Sequence, residues 1–144
     1  MSEILGLHRF AYSRLAADPE LDALVGGRIY EGIAPPGTEY PLVLFGVQAG
    51  TDLLGAGGTR IWVSAVLQAR AVGPMPVSEL APIAARIDAA LTAPMPIAVE
   101  AAGVAYIIHA AYRESTIDYA EVVDGRVYRH LGGLFRAFCS VREG

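Results

Sequence analysis

Residues Leu15 to Pro41 read LAADPELDALVGGRIYEGIAPPGTEYP. The segment is a series of local instructions. Asp18 offers a side-chain oxygen to the free N–H groups at a helix start. Pro19 suits the first helical position, where a missing N–H costs nothing. Gly26 and Gly27 stop that short helix, because glycine takes the left-handed C-terminal cap without a steric penalty. Arg28, Ile29 and Tyr30 then begin a strand. Pro35, Pro36 and Gly37 force a turn, and Pro41 opens a second, strongly apolar strand.

On the N-terminal side, Ile4, Leu7, His8, Ala11 and Leu15 recur at helical spacing, with Arg9 and Ser13 opposite. This predicts a helix over 3–17. On the C-terminal side, residues 42–48 are apolar on both faces and read as a central strand. Residues 50–58 read as a glycine-rich loop, and residues 59–70 as a long strand. Gly73 to Pro76 is a rigid connector. Ser78 is the expected cap of the next helix, with Pro82 in its first turn and Leu80, Ile83, Ala84, Ile87 and Leu91 as its apolar stripe. Pro94 and Pro96 end it. Residues 97–101 and 104–115 form a hairpin around Ala102 and Gly103. Residues 118–125 read as an acidic loop. The last strand, 127–141, places Leu131, Phe135, Ala137, Cys139 and Val141 on one face. The expectation is an α+β fold, a mainly antiparallel sheet packed against two helices, in a single domain over residues 1–144.

That order of signals resembles the tail completion (tail terminator) family of long-tailed bacteriophages. The residues that carry the resemblance are Asp18-Pro19, Leu21, the run Leu24 to Tyr30, Ala34 to Gly37, and Pro41. The strands and helix that follow fit the same pattern, so the resemblance covers nearly the whole chain. It implies a structural, non-enzymatic ring protein, commonly hexameric, at the head-proximal end of a tail tube. The implied partners are further copies of the chain, the major tail tube protein and the head–tail connector. DNA would pass through the pore without specific binding. The implied location is the virion, with assembly in the cytoplasm of a bacterial host.

Composition agrees with an assembling subunit. The chain has 144 residues, 53% of them hydrophobic. Arg86, Asp88, Glu100 and Arg113 interrupt the apolar runs, so no stretch reaches the roughly 18–20 apolar residues of a membrane span. No basic segment followed by an apolar one marks a signal peptide. The apolar excess points to a filled core plus a sticky surface. All 11 basic residues are arginine and the net charge is −4. An acidic surface disfavours a phosphate-neutralising role. High-GC coding explains the absence of lysine as readily as function does.

Candidate chemistry is sparse. The 50–58 loop lacks the Gly-Lys-Ser/Thr of a phosphate loop and leads into a strand, not a helix. His8, His109 and His130 lack ligand partners at metal-binding spacing and read as structural histidines. Cys139 lies in an apolar strand and reads as a small buried side chain. A set of His109, Cys139 and Asp118 lacks any nucleophile turn. Glu114, Asp118, Glu121 and Asp124 lack the pattern of a calcium loop. No cofactor or metal is implied.

The candidates for a subunit or tube interface are Arg28, Tyr30, Leu53, Leu54 and Arg60. Arg28 is expected to pair with a carboxylate, within the subunit or across the ring. Leu53 and Leu54 have no obvious core to enter, so residues 50–58 read either as a flexible hairpin loop or as an assembly loop that orders against a neighbour. Asp118, Glu121 and Asp124 are candidates for a pore-facing or partner loop, where negative walls repel DNA. The competing reading is a small ligand-binding or enzymatic α+β domain with its site between the second main helix and the sheet. Another connector or minor tail protein is also compatible with the sequence.

Overall fold

A computed structural model describes residues 2–142. Helix α1 (Glu3–Ala16) buries Leu7, Phe10, Ala11 and Leu15 and leaves Leu5 and Tyr12 on its outer side. Helix α2 (Pro19–Val25) begins as its sequence dictates. The Leu21 N–H donates to Asp18 Oδ1 at 2.9 Å, and Gly26 ends the helix in the left-handed conformation at φ 59°. Leu21 and Val25 of this short helix are fully buried. The fold therefore has three helices, not two. Helix α3 (Val77–Leu91) covers the sheet with Leu80, Ile83, Ile87 and Leu91. Its cap position is Pro76 rather than Ser78, and Pro82 lies beyond the first turn, inside the helix.

Six strands form one sheet in the order β1-β2-β3-β6-β5-β4. They are β1 (Ile29–Glu31), β2 (Leu42–Leu54), β3 (Arg60–Gly73), β4 (Ile97–Ala101), β5 (Val104–Val123) and β6 (Arg126–Val141). The sheet is mixed. Strand β1 runs parallel to β2, with Tyr30 opposite Leu44, and the other neighbours are antiparallel. The link between β1 and β2, stiffened by Pro35, Pro36 and Pro41, returns the chain to the same end instead of reversing it as a hairpin would.

The helices cover one face. Alanines 65, 69 and 71 of β3, with Leu67, sit beneath them, beside Phe135, Ala137 and Cys139 of β6. Small residues there let the helices approach closely. At Gly132 the backbone of β6 is pressed onto β3. A Cβ at that position would lie 2.1 Å from the Ala69 carbonyl oxygen. Val141, expected on the buried face of β6, is exposed at the strand's end.

Two expected loops are strands. Gly50 pairs with Ala65 and Leu53 with Trp62, so β2 continues through Leu54 and only a short turn remains, with one 3-10 turn at Ala56–Gly58. Asp118 pairs with Leu131 and Glu121 with Tyr128, so the acidic segment is the far part of β5. Both segments are exposed on both faces, so neither shows the alternation that reveals a half-buried strand. Strand β4 pairs with β5 only as far as Ile108, and β1 with β2 only as far as Phe45. A bulge follows each limit, between Ile108 and Ala110 and between Val47 and Ala49. Beyond those bulges the outer edges of β2 and β5 have no neighbouring strand among the described residues.

Candidate assembly surface

The strand register places two hairpin arms at opposite ends of the sheet. Val63 of β3 pairs with Cys139 of β6, and Gly73 with Arg129. The β2–β3 arm therefore projects where β6 ends, and the β5–β6 arm projects where β3 ends.

The β2–β3 arm gathers Leu53, Leu54 and Arg60. Leu54 is 64% exposed and Leu53 38%, beside the exposed Ile61 and Trp62. Arg60 is engaged within the subunit, at 3.1 Å from Glu3 and 3.8 Å from Asp52. Trp62 stacks on His109 at 4.3 Å between ring centroids, and His109 Nε2 lies 2.7 Å from Ser140 Oγ. Burial holds the His109 imidazole below its ordinary value. A neutral imidazole and an indole stacked at the root of the arm give it a stiff base.

The β5–β6 arm ends in a tight turn. Asp124 (φ 52°) and Gly125 (φ 76°) both take the left-handed region, which a two-residue hairpin of this kind requires. Val122 and Val127 face each other across the strands, as do Val123 and Arg126. All four are exposed. Lower down, His130 is 3% exposed. Its Nδ1 accepts from Arg70 Nε at 3.0 Å, its Nε2 lies 2.8 Å from Glu121 Oε1, and its ring stacks on Tyr119 at 4.3 Å. Arg70 also bonds to Gln68. Tyr128 meets Tyr40 at 5.1 Å. Glu121 thus braces the arm. Asp118 lies across from Leu131, on the helix side of β5, and Asp124 occupies the turn.

Arg28 and Tyr30 lie at the opposite sheet edge. The Arg28 Nε donates to the Pro41 carbonyl at 2.9 Å. Within the subunit, that bond ties the start of β1 to the start of β2. Tyr30 lines a groove of about 350 Å³ between α1 and β1, shared with Leu5, Tyr12, Ile29 and Phe45. His8 Nδ1 and Glu31 Oε1, 3.1 Å apart, sit in its wall.

The cleft that the competing reading requires, between α3 and the sheet, is lined by Ala81, Ala84, Ala85, Leu131 and Phe135. Its charges are Arg113 and Asp88, 3.7 Å apart, and no histidine or cysteine lines it. Cys139 is fully buried, and burial pushes its thiol up to about 12, which leaves almost no thiolate at neutral pH. Among the described residues no group of three His, Cys, Asp or Glu side chains could hold a metal ion. No helix among them is long and apolar enough to cross a membrane.

The family model for tail completion protein gp17 matches residues 11–142. The chain belongs to the tail completion protein gp17 family. Family membership gives this tail completion protein a structural role in a phage-type tail. It is also similar in fold to a chain of a solved structure described as the virion of a native gene transfer agent particle. The two superpose with a TM-score of 0.72 at 19% identity, over 96% of this chain and 98% of that one. No curated protein matches the chain.

Several residues of the tail completion protein's surface escaped the sequence reading. Val122, Val123 and Val127 are exposed at the β5–β6 tip. The signal was present, since Asp124-Gly125 flanked by valines is a strong hairpin cue. Leu5 and Tyr12 line the groove, but the apolar stripe of α1 explains only its inner face. That stripe puts Leu5 and Tyr12 off the buried face, but nothing local shows that a groove forms beside them.

Proposed function

We propose that this tail completion protein forms a closed ring, hexameric as is common in the family, on the head-proximal end of a tail tube. The ring ends tube polymerisation and presents the surface on which the head connector docks. The family match over residues 11–142 carries the reading. The likeness to a chain of a gene transfer agent virion supports it. The arrangement of the arms supports it too, because arms at opposite ends of one sheet give a ring two different faces. Leu53 and Leu54 contact one axial partner, either tube or connector. Arg28 and Arg60 act within the subunit, holding the elements that carry those contacts. Asp118, Glu121 and Asp124 belong to an arm that meets a partner. With a net charge of −4, DNA passes through the ring without being held. The protein acts by binding alone, in the virion, after assembly in the bacterial cytoplasm.

Electron microscopy of particles made without this chain tests the proposal. Overlong tails, or tails lacking heads, are the expected result. Tails of normal length joined to heads overturn it.

A further inference from the structure

The ring reading leaves open which surfaces of neighbouring copies meet. We propose that the β5–β6 arm of one copy seats in the α1–β1 groove of the next, an inference that rests on the ring reading.

Three observations carry it. First, the two features lie on opposite edges of the sheet. Strand β1 is one outer strand, and β5 is unpaired on its outer side beyond Ile108. They also lie at the same end. Strand β1 pairs with the start of β2, Leu42 at that start pairs with Val72 of β3, and Gly73 pairs with Arg129 in the arm. A contact between opposite edges is head-to-tail, the type that closes into a ring when its rotation is right. Through β2 and β3, Ile29 to Glu31 lie level with Leu131 to Gly133, so Val127 stands roughly 13 Å further along the strand direction, and seating the tip in the next groove requires the strands to tilt from the ring axis by that offset.

Second, the apolar parts match in kind. The arm exposes Val122 at 69% and Val127 at 46%, a directly opposed pair on one face. Val127 borders Pro74, Met75 and Pro76 just before α3, yet both valines remain exposed. The groove offers the half-exposed Leu5 and Tyr12 over Ile29 and Phe45. A slender hairpin tip with a two-residue turn is a shape that a groove between a helix and an edge strand can admit. Exposed apolar clusters on a tip and in a groove of one molecule are each a liability unless something covers them.

Third, the charges are complementary. Arg129 shares the face of Val127, two residues along the strand, and has no ion-pair partner among the described residues. Glu31 in the groove wall is 60% exposed at its side chain. Asp124 stands at the arm's turn, and Arg9 lines the groove. Arg126 and Glu121 lie on the arm's other face, so near the tip Arg129 and the turn's Asp124 are the charges set to meet Glu31 and Arg9, and that pairing favours a single orientation. The opposite end of the sheet, with Leu53 and Leu54, stays free for an axial partner.

The test uses cysteine pairs in assembled particles. Cys139 is fully buried, so the wild type gives little background. Leu5→Cys together with Val122→Cys is introduced into the full chain, and the particles are treated with a short bismaleimide. Tyr12→Cys with Val127→Cys is the second pair, used if the first lowers the melting temperature. The expected result is a ladder at multiples of 15.2 kDa, absent from each single-cysteine variant. Particles that contain the double variant but give only monomer overturn the inference. So does a cross-link to a different, larger tail protein, and the ring reading then still stands. If the wild-type chain is itself absent from purified particles, the tail reading fails first and takes this contact with it.

Discussion

Asp18 shows how one side chain joins two elements. It caps α2 through the Leu21 N–H and receives Arg86 of α3 at 2.6 Å. The Arg86 guanidinium, helped by the main-chain N–H groups and opposed by burial, holds the Asp18 carboxyl below its ordinary value of 3.8. The unfolded chain therefore binds this proton more readily than the folded one. The resulting stability is fully present above the ordinary value and is lost as pH falls through the lower folded value. Arg86→Gln should therefore lower the melting temperature at pH 7 and reduce the gap to wild type in strong acid. Thermal melts of both proteins across that range check this. A gap that stays constant with pH would assign Arg86 a packing role only. Asp18→Ala, which also removes the cap, should cost about 0.5–2 kcal/mol from the cap alone. Gly132 is the other decisive single residue. Its Cβ would meet main-chain atoms of Ala69 and Arg70, and backbone yields less readily than a side chain. Gly132→Ala should cost about 1–3 kcal/mol or more, measured as a drop in the urea midpoint. Unchanged stability would mean that the close approach of β6 to β3 relaxes freely.

Helix α3 is the clearest case of an element legible in sequence. Its stripe of Leu80, Ile83, Ile87 and Leu91 is buried throughout. Ile87→Ala should cost about 2–5 kcal/mol by leaving a cavity between α3 and the sheet, and equilibrium denaturation measures it. An unchanged midpoint would contradict the buried position of Ile87. The short helix α2 was equally legible, because Asp18, Pro19 and Gly26 act through local geometry. What lay beyond the sequence were the ends of the long strands. Leu42 to Phe45 are recognisable because burial imposes apolar side chains, whereas Gly50 to Leu54 are strand only because β3 runs alongside. Asp118 to Val123 likewise lack alternation, and only the Asp124-Gly125 turn signals their pairing with β6. The parallel placement of β1 was also hidden, since a strand of three residues carries no directional signal. Of the candidate surface, the leucines at positions 53 and 54 were legible as apolar residues among glycines. The α1–β1 groove was not, because it exists only once residues 5–12 and 29–31, distant in sequence, are brought together.

The complete subunit combines a dense helix-covered core with two projecting arms, and the two parts should respond differently to mutation. Leu53→Ser with Leu54→Ser should leave the melting temperature of the isolated protein within a few degrees of wild type. Each exposed leucine contributes little to the core, while burial of each against a partner is worth at most about 1.5–3 kcal/mol before ordering costs. The same variant should fail to complement tail joining, because any loss recurs at every subunit. Early unfolding would place the leucines in the core, and normal joining would move the axial contact elsewhere on the arm. The uncovered strand edges also leave a signature in amide exchange with solvent. Along an antiparallel edge strand, N–H groups point alternately toward the neighbour and toward water. Over residues 109–123 and 47–54 protection should therefore alternate residue by residue, while β3 and β6, paired on both sides through the centre of the sheet, should be protected continuously. That alternation works as a built-in label. Water-facing amides that become slow to exchange in the particle identify the edge a neighbour has covered, and the turn at which protection stops measures how far along the strand that neighbour reaches.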